Sequence, residues 1–219
     1  MTKKLLKVVF ALVTISLASC SKDSITGFGS IKEETRNISY FTGIEVKGEA
    51  TVYVSQGTTH SVRLRAYENI LPHIQTSVGS DKVLSVGPQS GVNIKNSNLE
   101  VYVTLPSLTE IHLSGKVKGF VQAASGNHIK IHLEGLTELQ WESASQFSTV
   151  SLIASGDSRI EALLLRTDTL NVSMTGDCTV KISCDKHIKG ELSGKTHLSY
   201  RGNPTIDVST TGSSRITKL

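Results

Sequence analysis

The 219-residue sequence is poor in aromatic residues, at 5%, and holds only four prolines and three cysteines. No GxSxG, Walker, HExxH or EF-hand pattern occurs, which removes the common hydrolase, nucleotide-binding, metalloprotease and calcium-loop readings. No CxxC or Cys-His spacing suggests zinc, and three cysteines do not make a disulfide framework. Almost nothing reads as helix: Tyr67 to Leu71 offers one turn at most, expected to stop at Pro72. After the start of the chain there is no apolar run long enough to cross a bilayer. Charge of one sign is missing too. Three of the 23 basic residues and none of the 19 acidic ones lie in residues 1–19, which leaves 20 against 19, a balance of +1. Such a chain offers no electrostatic case for nucleic acid or for direct attraction to a membrane.

The first twenty residues carry their own signal. Lys3, Lys4 and Lys7 precede an apolar run from Val8 to Leu17, within the range of a secretory core and too short to span a bilayer as a helix. Leu17-Ala18-Ser19-Cys20 resembles a bacterial lipoprotein cleavage site. That resemblance implies a signal peptide over residues 1–19 and a lipid on Cys20, the new N-terminus. Several acyl chains hold a protein on a membrane far better than one chain does. An ordinary secretory signal with Cys20 merely nearby is the alternative. Residues 20–36, polar and punctuated by Gly27 and Gly29, read as a tether between lipid and domain.

What is abundant is Val, Ile, Leu, Thr, Ser and Gly, a composition of strands and tight turns. One glycine recurs, at Gly115, Gly135, Gly156, Gly176, Gly194 and Gly212, at intervals of 20, 21, 20, 18 and 18. At two, four and six residues before it and four after it, 20 of 24 positions are apolar. Period-two alternation broken by glycine says strand, bend, strand. An all-β solenoid with rungs of about 20 residues follows, because one rung cannot bury its own apolar face and stacked rungs can. A β-sandwich with evenly spaced strands is the alternative.

Stacking makes checks possible within the sequence, since equal offsets become neighbours about 4.8 Å apart. Five before the glycine stand Glu110 then Lys130, and Lys189 then Asp207, opposite charges on adjacent rungs. Two after it stand Val117, Thr137, Ser158, Cys178, Thr196 and Ser214, a column suited to a corner where hydroxyls bond to backbone. Ile44, Val46, Gly48 and Val52 repeat the pattern near the start. Between Val54 and Pro106 it lapses into strands expected at 61–66, 74–78, 83–86 and 99–105, an excursion closing over one end or side of the stack.

Phe41 to Gly48, Val52 to Gly57, Val103 to Leu108 and Ile111 to Gly115 occur in an order that resembles the exported bacterial proteins described as auto-transporter adhesins with a head GIN domain. The resemblance covers residues 37–219 and implies a right-handed parallel β-helix-like fold and an envelope location. It supplies no catalytic residues.

The search for chemistry yields little. Asp157 and Asp177 share the offset one after the glycine, where a carboxylate pair able to bind a cation and an ordinary Gly-Asp turn compete, and the turn is favoured. His112 and His132 share the offset three before it. Two imidazoles so placed could share a metal, but the next residue in that column is Ile153, so no metal is assigned. His128 and His187 share a column three rungs apart. Trp141 reads as core or corner before sugar platform. Cys178 and Cys184 lie too far apart in an extended strand to bridge and would need a turn between them, so two buried small side chains are expected.

The expected molecule is therefore a non-enzymatic, lipid-anchored envelope protein at the outer membrane. It has no catalytic, cofactor or metal residues, and a ladder surface for a glycan or protein. The alternative is a carbohydrate-active or glycan-binding β-helix protein. That alternative requires acidic and basic side chains from three neighbouring rungs in one groove.

Overall fold

The computed structural model describes residues 23–38 and 40–219, and the expectations for 1–19 and for Cys20 lie outside the described residues. In chain order the strands are β1 (Asp23–Thr26), β2 (Ile31–Arg36), β3 (Gly43–Gln56), β4 (Ser61–Tyr67), β5 (Ile74–Val78), β6 (Val83–Pro88), β7 (Val92–Lys95), β8 (Glu100–Leu105), β9 (Glu110–Val121), β10 (Ser125–Trp141), β11 (Ser145–Gly176), β12 (Thr179–Gly194), β13 (His197–Arg201), β14 (Thr205–Thr210) and β15 (Arg215–Lys218). All but β1 and β7 join one 13-stranded sheet, whose path from β15 to β2 does not close on itself.

The centre of that sheet is parallel and in register. β3 pairs with β9, β9 with β10, β10 with β11 and β11 with β12, and each pairing sets glycine against glycine. The stacking expected from the glycine spacing is what these strands do. Leu133 and Leu152 are register partners on parallel β10 and β11, and they and Val172, further along β11, are 3% exposed or less. Along β10 every second residue from Ile129 to Trp141, save Gly135, faces the core. That burial rejects water from one face of each rung and is the main stabilising term.

The glycine column bends every rung. Gly115 has φ +98°, and a Cβ there would sit 2.5 Å from the Gly48 carbonyl oxygen. Both the positive φ and the close backbone approach exclude a side chain. Next to the bend, the column two residues on behaves as expected. The hydroxyls of Ser158 and Ser214 donate to the carbonyls of Ser155 and Thr211 at 2.8 and 2.7 Å, and Cys178 Sγ reaches Thr175 O at 3.4 Å. The shortening of the repeat from 20 to 18 residues is absorbed elsewhere. The β11–β12 register shifts between Ala162 and Arg166 and again before Thr169, so the glycine column is undisturbed.

The excursion caps the stack. β6 and β8 both pair with the edge of β3 that β9 leaves free, and β4 and β2 extend the sheet outward from β8 by antiparallel pairing. Four of its strands match the expected segments closely, while β7 was not anticipated. Two readings need correction. The tether expected over 20–36 is, from Asp23 on, two strands: β1 pairs with β7 and β2 with β4. Their polar composition reflects an outer position at the cap, where only Ile25 and a few neighbours touch the core. The helical turn falls at Leu71–His73, with Pro72 at its start instead of after its end. Proline has no N–H to lose in a first turn and its φ is already helical.

Candidate functional site on the outward histidine face

The faces of the stack differ in what they show to solvent. Three residues before each bend, Glu45, His112, His132 and Ile153 follow one another up the outward face. The imidazoles of His112 and His132 stack with centroids 4.4 Å apart and planes 7° from parallel. Glu45 Oε1 lies 3.1 Å from His112 Nδ1, and Glu45 is itself held by Lys47 at 2.8 Å and by the Ser85 hydroxyl at 2.8 Å. Burial pushes the Glu45 carboxyl up, but the bonds from Lys47 and Ser85 outweigh it and hold the group below its ordinary value. Burial, and then the neighbouring His132, push the His112 imidazole down. Its Nε2 is shielded from solvent and has no hydrogen-bond partner. His132 Nε2 lies 2.9 Å from Glu134 Oε1. The third group beside the histidine pair thus comes from Glu134, two residues along the same strand. In the histidine column itself the next residue is Ile153, which offers no third ligand. The signal was present: Glu45, His112 and His132 share one offset, and residues two apart on a strand face the same way.

On the same face nearer β14, a groove of about 500 Å³ crosses four rungs. Ser151, Ile153, Asn171, Ser173, Lys189 and Glu191 line it. Most of the residues projecting into it are short: Ser151, Asn171, Ser173 and Ser209.

The opposite charges expected five before the bend are register neighbours, Glu110 with Lys130 and Lys189 with Asp207, yet neither pair closes among the described residues. Ion pairs form after the bend instead: Glu49–Lys116 at 2.8 Å, Lys118–Glu138 at 2.9 Å, Glu161–Lys181 at 2.9 Å and Asp177–Lys195 at 2.7 Å. Asp177 is therefore tied to Lys195, in keeping with a charged turn. Lys116, Lys118, Glu138, Asp157 and Arg159 line a groove of about 300 Å³ over three rungs.

Five after the bend an aromatic ladder was missed. Tyr102, Tyr53 and Phe120 stack at centroid distances of 4.9 and 5.3 Å, with the Arg63 guanidinium 4.2 Å over Tyr102. Tyr53 and Phe120 share an offset, so this too was legible. Trp141 is buried, 2% exposed, as expected. His128 lies against Thr149 and His187 against Thr169, so that pair does not meet. Cys178 and Cys184 are free, buried thiols, each directed at backbone carbonyls, and burial pushes both thiols up. No helix of the described residues is long and apolar enough to cross a membrane.

No curated protein matches the sequence. Among solved structures, a putative adhesin from Bacteroides fragilis is similar at TM-score 0.67 and 18% identity, covering 89% of this chain and 100% of that one. A putative lipid binding protein from Parabacteroides distasonis is similar at TM-score 0.58 and 14% identity, covering 90% of this chain and 100% of that one. A putative adhesin from Parabacteroides merdae is similar at TM-score 0.51 and 17% identity, with 90% of this chain and 99% of that one covered. At these identities the likeness is one of fold. Residues 40–204 match the family described as putative auto-transporter adhesin, head GIN domain, over most of the ordered rungs and the cap, and the chain belongs to that family.

Proposed function

We propose that this chain is a binding protein of the cell envelope, exported and held at the outer membrane by lipid on Cys20. In this reading it is wound as a β-solenoid that offers its outward ladder to an extended glycan or protein, without catalysis. One observation carries the reading: the in-register stack repeats the same outward positions every rung, from Glu45 through His112, His132, Ile153 and Ser173 to Glu191. A surface with a repeat of about 4.8 Å suits an elongated ligand laid along it. The family's adhesin description and the short basic, apolar leader support export. The groove at Ser173 is the proposed seat. Its short polar walls can hydrogen-bond a polymer, while the exposed Ile153 offers apolar contact.

Glycan and envelope-protein arrays probed with the purified protein should return ligands that Ser173→Trp loses, because an indole fills the groove. Ligands bound equally by Ser173→Trp would remove the groove from the proposal, and an array without hits would remove the binding role.

The enzyme alternative has one observation in its favour: acidic and basic groups from three rungs meet around Glu138 and Asp157. All five charged side chains there are exposed, and Glu138 is already paired with Lys118. A general acid usually needs a carboxyl shielded from water. Turnover of an array ligand that is lost in Glu138→Gln would favour the enzyme.

A further inference from the structure

We propose that His112, His132 and Glu134 form a binding site for one divalent transition-metal ion of the zinc or copper class, with Glu45 orienting His112. Binding at this site does not depend on the ligand proposed above. One ligand atom from each of the three residues lies within 4.8 Å of the other two. In a tetrahedral site with bonds of about 2.0–2.1 Å, neighbouring ligand atoms are about 3.3 Å apart. The 2.9 Å between His132 Nε2 and Glu134 Oε1 is already close to that edge. The His112 ligand atom lies within 4.8 Å of both and comes closer on binding.

His112 is prepared for this. Its Nδ1 lies 3.1 Å from Glu45 Oε1, so the carboxylate favours the proton on that nitrogen, and Nε2 has no hydrogen-bond partner. A carboxylate behind an imidazole fixes ring orientation and raises ligand basicity, as in many protein metal sites. Glu45 cannot turn away, because Lys47 and Ser85 hold it. The scaffold is rigid, since the two histidines sit on paired parallel strands. Local charge favours a cation: a cavity of about 230 Å³ next to His112 is also lined by Glu45, Asp81 and Glu110. Two imidazoles and one carboxylate, with water completing the shell, suit zinc or copper and not calcium or magnesium, which prefer oxygen alone.

The test uses tag-free protein stripped with a chelator. Titration with Zn²⁺ in a calorimeter should show one ion per chain. His112→Ala and His132→Ala should each abolish saturable binding. Glu45→Gln should weaken it roughly 10–100-fold. His128→Ala, an exposed histidine outside the site, should change nothing. Electron paramagnetic resonance of the wild-type protein with one equivalent of Cu²⁺ should show coupling to two nitrogen nuclei, which needs no variant to fold. Absence of saturable uptake, wild-type affinity in either histidine variant, or a copper spectrum without two nitrogens would each overturn the site.

Discussion

At the residue scale, the bend glycine is a position with no room for a side chain. Gly135 has φ +88°, and a Cβ there would meet the Gly115 carbonyl oxygen at 2.8 Å. The obstacle is backbone of the neighbouring rung, which cannot rotate away as a flexible side chain does. Gly135→Ala should therefore cost about 1–3 kcal/mol for the backbone conformation, and more for the clash. Denaturant unfolding measures it, and a loss below about 0.5 kcal/mol would contradict the stacked bend. The neighbouring polar column shows the complementary rule. Thr137 and Ser158 are buried yet joined by a 2.9 Å hydrogen bond, so their hydroxyls bring no net burial penalty. Thr196 holds the same place one rung beyond Cys178, and its hydroxyl lacks a partner.

At the element scale, the cap is held by more than its apolar face. On β8, Glu100 accepts from Arg65 of β4 at 2.9 Å and from the Tyr102 hydroxyl at 2.7 Å. Burial pushes the Glu100 carboxyl up, but the bonds from Tyr102 and Arg65 outweigh it and leave the group below its ordinary value of 4.5. A depressed carboxyl binds its proton more weakly folded than unfolded. Its stabilising contribution is therefore complete above about pH 4.5 and fades as pH falls through the lower folded value. Tyr102→Phe keeps the ring on Tyr53 and removes only the hydroxyl. It should cost about 1.5 kcal/mol at pH 7, with the gap from wild type closing toward pH 3. Urea midpoints across that range would show it, and a gap independent of pH would assign the effect to packing. The ends of the chain's cap teach a related lesson. β1 and β2 look like linker because composition reports exposure, whereas pairing with β7 and β4 depends on an edge the rest of the fold provides.

At the scale of the whole molecule, the proposed lipid on Cys20 is the expected means of holding the protein at a membrane. The chain beyond residue 19 is nearly neutral, with 20 basic and 19 acidic residues, so its net charge of +1 is too small to substitute. Cys20→Ser should shift the protein from the membrane fraction to the soluble fraction and abolish labelling by a fatty-acid probe. Retention in the membrane with label lost would call for a second anchor. Label retained would place the lipid elsewhere. The division between what was legible and what was not follows from distance along the chain. The spacing of Gly115 to Gly212 and the alternation around it determined, by themselves, the all-β class, the parallel register and the buried columns. Each of those rests on local backbone geometry repeated at a fixed interval. The same register already aligned Glu45 with His112 and His132. Three-dimensional structure alone decided that Glu134 closes against His132, that Lys47 and Ser85 lock Glu45, and that the charges five before the bend stay unpaired while others after it close. Those outcomes depend on where side chains of different columns and of the cap meet, and a period in the sequence says nothing about distances across columns.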